Sequence, residues 1–254
     1  MCVLAAVNAA LAVGFFLQAS WATALWPWTS QPLDYVVISS FLAAGAGAVL
    51  WIGLTGEWGA LTGALIDVGL FNATTAAWLW ARWAAERDSA VLVRAVVFTL
   101  GTAAEIALLR VSLRHPLRDK RPADRVLVTS FWVFAIVLLL AATGLLLQQP
   151  IWPWPLEPTS STLLGLLFLG SATYFLHALR RPSWHAMKGQ LVAFLLYDLV
   201  LIQPYLHIAD GALSYHLNYA SLGIYWAVIA YSSLLAAYYL FLNPATRGWS
   251  VQAG

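Results

Sequence analysis

From Val126 to Leu147 the chain runs through one apolar stretch with no ionisable side chain. At 1.5 Å per residue, about twenty such residues form a helix of about 30 Å, the thickness of a bilayer's hydrocarbon core. Seven further apolar windows predict spans over about Val3–Leu25, Tyr35–Leu54, Ala60–Trp80, Ala90–Leu113, Thr162–Leu179, Met187–Tyr205 and Leu217–Leu242, with Thr162–Leu179 the shortest. Inside lipid every amide must be paired within the protein, which leaves helices or closed barrels. Runs this long, without period-two alternation, select helices. The expected fold is all-α: a polytopic transmembrane helix bundle of about eight spans, forming a single transmembrane domain over 1–254.

Composition excludes the water-soluble alternative. Only 9% of residues are charged and 61% are hydrophobic, with a mean hydropathy of +0.76. Soluble domains carry charge on about a quarter of their residues, and solubility depends on it. A net charge of +2 gives no footprint for nucleic acid. Cys2 is the only cysteine, so no internal disulfide and no thiolate metal site can form. Residues 1 to 22 lack the positively charged start of a signal peptide and are read as the first membrane helix.

Proline marks the breaks, at Trp26-Pro27-Trp28, His115-Pro116, Trp152-Pro153-Trp154-Pro155, Arg181-Pro182 and Asn243-Pro244. Lys and Arg concentrate on one side, at Arg114, Arg118, Lys120, Arg121 and Arg125, at Arg180, Arg181 and Lys188, and at Arg247. The other side carries Arg82, Arg87 and Arg94. By the positive-inside rule both termini face the cytoplasm, and the expected location is a bacterial plasma membrane. The tryptophan–proline loops then lie on the outer face, where an indole keeps its ring in lipid and its N–H wet.

Those loops also register an internal repeat. Aligning Trp26-Pro27-Trp28 with Trp152-Pro153-Trp154 matches Pro32 with Pro158, Ala46 with Ala172, Leu50 with Leu176, Trp58 with Trp184, Gly63 with Gly189 and Leu70 with Leu196 without a gap. About a quarter of some forty-five positions are identical. The expectation is two parallel four-helix repeats, about 1–125 and 126–254, related by an axis along the membrane normal. The stretch Trp152 to Pro158 resembles bacterial polytopic membrane proteins with repeated W-P-W-P-L-x-P loops; the first copy departs from that form at Thr29-Ser30-Gln31. The resemblance implies a repeat family, and that group has no assigned activity.

Charge in mid-bilayer costs from about 3 to above 10 kcal/mol, so ionisable residues there are functional candidates. Asp67, Glu105 and Asp198 qualify. The repeat pairs Asn72 with Asp198 and Glu105 with Tyr231. Asn72, Glu105, Asp198 and Tyr231 therefore form the candidate polar binding or proton site at one depth. The competing reading is structural: such groups also tie helices together through hydrogen bonds of about 0.6–2 kcal/mol. No histidine pair at matching depth suits a bis-histidine haem, but His177 or His207 is a possible single ligand of a chlorophyll-type magnesium, and the sequence leaves the identity of any cofactor unknown. His207, Asp210 and His216 do not match a metal spacing, so no metal is expected. The run Ala43-Ala44-Gly45-Ala46-Gly47-Ala48 fits a close helix seam, within the chain or with a partner.

No nucleophile elbow, zinc-hydrolase motif or phosphate-cradling loop occurs, so no catalytic residues are assigned and an enzyme is the less favoured class. The first functional expectation is a non-catalytic subunit or scaffold of a membrane complex, with the lipid bilayer and other membrane subunits as partners. The alternatives are a small-solute or proton-coupled transporter with a midplane polar site, and a cofactor- or pigment-binding membrane subunit.

Overall fold

The computed structural model describes residues 1–26, 28, 30–117, 119, 121–209 and 217–246, with the side chains of 204–209 left out. Those residues form helices and no strands, beyond a single antiparallel bridge between Pro122 and Ser183. The elements are α1 (Cys2–Phe16), α2 (Ser20–Thr23), α3 (Pro32–Thr55), α4 (Leu61–Glu86, preceded by a 3-10 turn at Trp58–Ala60), α5 (Ser89–Ser112), α6 (Arg125–Leu146), α7 (Pro158–Arg180), α8 (Trp184–Ala209) and α9 (Tyr219–Ala237, continued by a π-helical turn to Leu242). Seven of these helices, α3 to α9, are long and apolar enough to cross a membrane.

The expected first span is cut short. α1 ends after 15 residues, about 22 Å of helix, because Gln18 turns into the left-handed region at φ 51°. There the Gln18 N–H bonds Phe15 O and the Ala19 N–H bonds Gly14 O, a Schellman cap. The chain then folds back, and a Cβ on Gly14 would lie 2.5 Å from the Trp21 ring. α1 nevertheless covers much of the depth of α3. It lies antiparallel to it, with Met1 and Cys2 against Gly53 and the Phe15 ring 6.1 Å from that of Tyr35. The expected short span over Thr162–Leu179 is instead a helix of 23 residues, because Pro158 opens it early with a φ already suited to the first helical turn.

Gln148 ends α6 as Gln18 ends α1. It has φ 56°, its N–H bonds Leu145 O and the Gln149 N–H bonds Gly144 O. Each of these caps is followed by a close helix contact. In α1–α3 the Ser39 hydroxyl donates to Ala12 O at 2.7 Å. In α6–α7 a Cβ on Gly165 would lie 3.2 Å from Ala142 O, and the Ser161 hydroxyl donates to Leu145 O at 2.8 Å.

The helices divide into two compact units, and each draws on both halves of the sequence. The first contains Met1–Glu57, Pro150–Ser160 and Met187–Gly254, hence α1, α2, α3, most of α8, and α9. Its α3–α8 seam closes at Gly47, where an added Cβ would meet Leu196. The Trp152–Pro155 loop braces the unit: Trp154 Nε1 donates to Asp34 Oδ1 at 2.9 Å, and Pro153 O accepts the Asn218 N–H at 2.8 Å. Asp34 also completes a capping box with Gln31 at the start of α3.

The second unit contains Trp58–Gln149 and Ser161–Ala186, hence α4, α5, α6, most of α7 and the first residues of α8. Its α4–α7 seam closes at Gly63 against Tyr174 and at Gly170 against Asp67. Phe175 of α7 packs on Phe131 and Phe134 of α6 at 4.9 and 5.6 Å. At the α4–α5 turn Arg82 and Arg87 lie over the Trp78 and Trp83 rings at 5.3 and 5.0 Å, which seats both cations at an aromatic girdle.

A Cβ at position 170 would come within 2.6 Å of the Asp67 carbonyl, which is backbone and cannot swing aside. Gly170→Leu is expected to destabilise the second unit by about 1–3 kcal/mol, the usual range for overpacking. Thermal unfolding in detergent measures it, with Gly45→Leu as the control, since nothing lies within 4 Å of that Cβ position.

Candidate polar sites within the spans

Lipid offers no donors, so the partners of each intramembrane polar group identify what it does. In the second unit Asn72 of α4 donates from Nδ2 to Glu105 Oε1 of α5 at 2.7 Å. Glycines make room for the pair. A Cβ on Gly101 would lie 3.2 Å from Asn72 Nδ2, and one on Gly69 would lie 3.6 Å from Glu105 Oε2. Asp67 lies on the same helix as Asn72, near enough to Glu105 for the two carboxyls to interact electrostatically. The Ser171 hydroxyl of α7 reaches Asp67 Oδ1 at 3.5 Å. The same seam has hydrogen bonds toward both ends, Thr62 to Ser112 at 2.7 Å and Trp80 Nε1 to Thr99 Oγ1 at 3.0 Å.

In the first unit Asp198 of α8 is buried, and its Oδ2 accepts hydroxyls from both Ser232 and Ser233 of α9, each at 2.8 Å. Tyr231, the residue aligned with Glu105, is one position away and has an exposed side chain. Sequence reasoning missed Ser232 and Ser233, because serine in a membrane helix usually bonds its own backbone. Ser232 keeps that option: its hydroxyl is also 2.9 Å from Val228 O.

Glu105 and Asp198 share one arrangement. One oxygen is held by neutral donors, while Glu105 Oε2 and Asp198 Oδ1 are buried with no hydrogen-bond partner among the described residues. Among the described residues no Lys, Arg or His forms an ion pair with Asp67, Glu105 or Asp198. With two serine hydrogens directed at Oδ2, a proton taken up by Asp198 has its seat on Oδ1.

Of the possible cofactor ligands, His177 is half-buried in α7 and its Nδ1 has no hydrogen-bond partner among the described residues. His207 belongs to α8, but its side chain lies outside the described part. Asp210 and His216 also lie outside the described residues. Among the described residues no group of three or more His, Cys, Asp or Glu side chains is placed to hold a metal ion.

Outside the spans, the loop before α6 is strapped to the α7–α8 turn. The Trp184 N–H bonds Arg121 O at 2.9 Å, and the Ala123 N–H bonds Pro182 O at 3.3 Å. Asp119 accepts from Arg121, with Nε 2.9 Å from Oδ2, and lies 3.6 Å from the buried His185 Nε2. Burial alone would raise the Asp119 carboxyl, but the Arg121 side-chain and backbone donors and the nearby His185 outweigh it and hold the group below its ordinary value.

Comparison with protein families, with curated proteins and with solved structures finds no match to this chain. The fold and composition define its class as an α-helical multi-pass membrane protein.

Because the folded Asp119 value is depressed, its contribution is fully present above the unfolded value of about 3.9 and is lost as pH falls through the folded value. The protection of the Trp184 amide, taken as its intrinsic exchange rate at the same pH divided by the observed rate, is expected to fall on acidification through that window. In Asp119→Asn the acid-dependent component should vanish.

Proposed function

We propose that this chain is a proton-linked membrane transporter for a small solute, with Glu105 and Asp198 as its proton-bearing groups. The carrying observation is the shared arrangement of these carboxyls: intramembrane, fixed through one oxygen by neutral donors, and open at the other. Helix glue has no use for an open oxygen, since an unsatisfied buried acceptor costs about 1–3 kcal/mol. A proton, or a donor on a solute, fills it. The second hydrogen-bonding option of Ser232 lets that serine release Asp198 without stranding its own hydrogen.

The proposal includes duplication, which several correspondences support. Trp26 and Trp28 stack edge to face at 4.6 Å, as Trp152 and Trp154 do at 5.4 Å. Pro32 opens α3 and Pro158 opens α7. The Gln18 and Gln148 caps extend the alignment to α1 and α6, with the four-residue turn Ser20–Thr23 as an insertion in the first copy. Asn72–Glu105 joins α4 to α5 where Asp198–Ser232 joins α8 to α9. On this reading each compact unit combines the first helix pair of one copy with the last helix pair of the other. Both termini are placed on the Lys/Arg-rich cytoplasmic side of a bacterial plasma membrane, by the positive-inside rule.

A second reading, a subunit of a larger membrane complex, draws on α5. Only Val91, Ala95 and Ser112 of that helix are buried, while Val93, Val97 and Leu100 are exposed and available to lipid or to a partner helix.

The test reconstitutes purified protein in vesicles enclosing a pH-sensitive dye, imposes a membrane potential, and adds amino acids, sugars and carboxylates to the outside in turn as trial solutes. Wild type is expected to acidify the lumen, and Asp198→Asn and Glu105→Gln to slow acidification at least about tenfold, a barrier change of about 1.4 kcal/mol. Wild-type rates in both variants would remove the proton role. An inactive wild type that co-purifies with other membrane proteins in mild detergent would favour the subunit.

A further inference from the structure

Two stripes of the first unit face each other across an apolar cavity. α3 and α8 run antiparallel there, with Gly47 meeting Leu196 and Trp51 meeting Lys188. Leu50, Trp51 and Leu54 follow Gly47 at helical spacing on α3, and Val192 and Leu195 follow Lys188 in the same way on α8. The apolar members of both stripes, with Leu240, line a cavity of about 310 Å³. Leu50 and Leu54 are exposed, whereas Trp51, Val192 and Leu240 are buried. The cavity is therefore a groove, floored by the second set and open toward lipid beside the first. From Gly47 to Leu54 it extends about 10 Å along α3. That is about two-thirds of the hydrocarbon depth of one leaflet. Its Lys188 end is the surface end, because Leu54 is the last residue but one of α3 and Lys188 lies in the second turn of α8. Lys188 is buried, and its Nζ lies 5.8 Å from the centre of the Trp51 ring that borders the groove. An ammonium has three hydrogens to give, so this cation–π contact is compatible with a phosphate oxygen on the same nitrogen.

We propose that this groove holds one acyl chain of an anionic phospholipid, whose headgroup phosphate is bound by Lys188. Charge complementarity selects the occupant. The groove is apolar along its length and cationic at the end nearest the membrane surface, which is the polarity of a lipid with a negative head. A zwitterionic lipid also has a phosphate, but it brings its own cation to the place where Lys188 already stands. A helix from a second copy would fill the groove and bring no phosphate. By the positive-inside rule the Lys188 end faces the cytoplasmic leaflet, where anionic lipid attracts lysine by about 1 kcal/mol per side chain. Neither Asp198 nor Glu105 takes part, so the lipid site and the proton sites are tested separately.

The experiment places the purified full-length protein in phosphatidylcholine vesicles that carry either brominated phosphatidylglycerol or brominated phosphatidylcholine, with the bromines on the acyl chains. Bromine quenches indole fluorescence on contact, and the Trp51 component is the difference between wild type and Trp51→Phe. In wild type, brominated phosphatidylglycerol is expected to quench that component at a mole fraction at least about fivefold lower than brominated phosphatidylcholine does. Lys188→Met should abolish this preference while quenching persists, and Lys188→Arg should keep it. Val192→Phe, which fills the floor, should weaken quenching by both lipids. The comparison of the two lipids on wild type needs no variant, so it decides even where a substitution disturbs folding. Equal quenching by both lipids in wild type would overturn the anionic-lipid assignment. An undiminished preference in a folded Lys188→Met protein would overturn the role of Lys188. A Trp51 component that neither lipid quenches would overturn acyl-chain occupancy and favour a protein segment in the groove.

Discussion

Pairing of backbone amides without water is the constraint from which the rest of this structure follows. In hydrocarbon each N–H and C=O must find a partner along its own helix, so the spans are helical before any side chain packs. What remains for side chains is the choice of seam. The lipid-facing surface of a helix is no more apolar than its packed surface, so burial of apolar area gives little preference between neighbours. Close approach and hydrogen bonding decide instead. Gly47, Gly63, Gly165 and Gly170 mark places where helices meet too closely for a Cβ. Ser39, Asn72 and Asp198 mark places where a polar bond fixes the register.

The spans were legible because twenty apolar residues carry a strong signal, and α3 to α9 lie where hydropathy expects them. The break at Gln18 was not, because it depends on a non-glycine residue entering the left-handed region and on Trp21 folding onto Gly14. Depth in the membrane singled out Asp67, Glu105 and Asp198, since an ionisable residue mid-span is rare on energetic grounds, and the repeat alignment added Asn72. The partners were hidden. Position in a helix gives depth but not azimuth, so the Asn72–Glu105 bond between consecutive helices and the two serines on Asp198 needed three-dimensional packing. Choice of helix neighbours was equally invisible, because hydropathy cannot tell which apolar face meets which.

The polar seams differ in a way that bears on function. Asn72–Glu105 is an amide on a carboxyl, and Asp198 with Ser232 and Ser233 is a carboxyl under two hydroxyls. Under the proposed duplication these occupy equivalent helix pairs, with the acid moved from one helix to its neighbour. Two copies that began alike would then carry their protons at different places, and the pair need not act in step.

The composition of the first compact unit sets a constraint on biosynthesis. α1 and α3 leave the ribosome early, whereas α8 and α9, which complete their unit, are made last. Gly47 and its neighbours on α3 must therefore stand against lipid or an insertion factor until Leu196 arrives. The amino-terminal segment waits in the bilayer as an unfinished hairpin, and its assembly is complete only once the carboxy-terminal helices have entered the membrane.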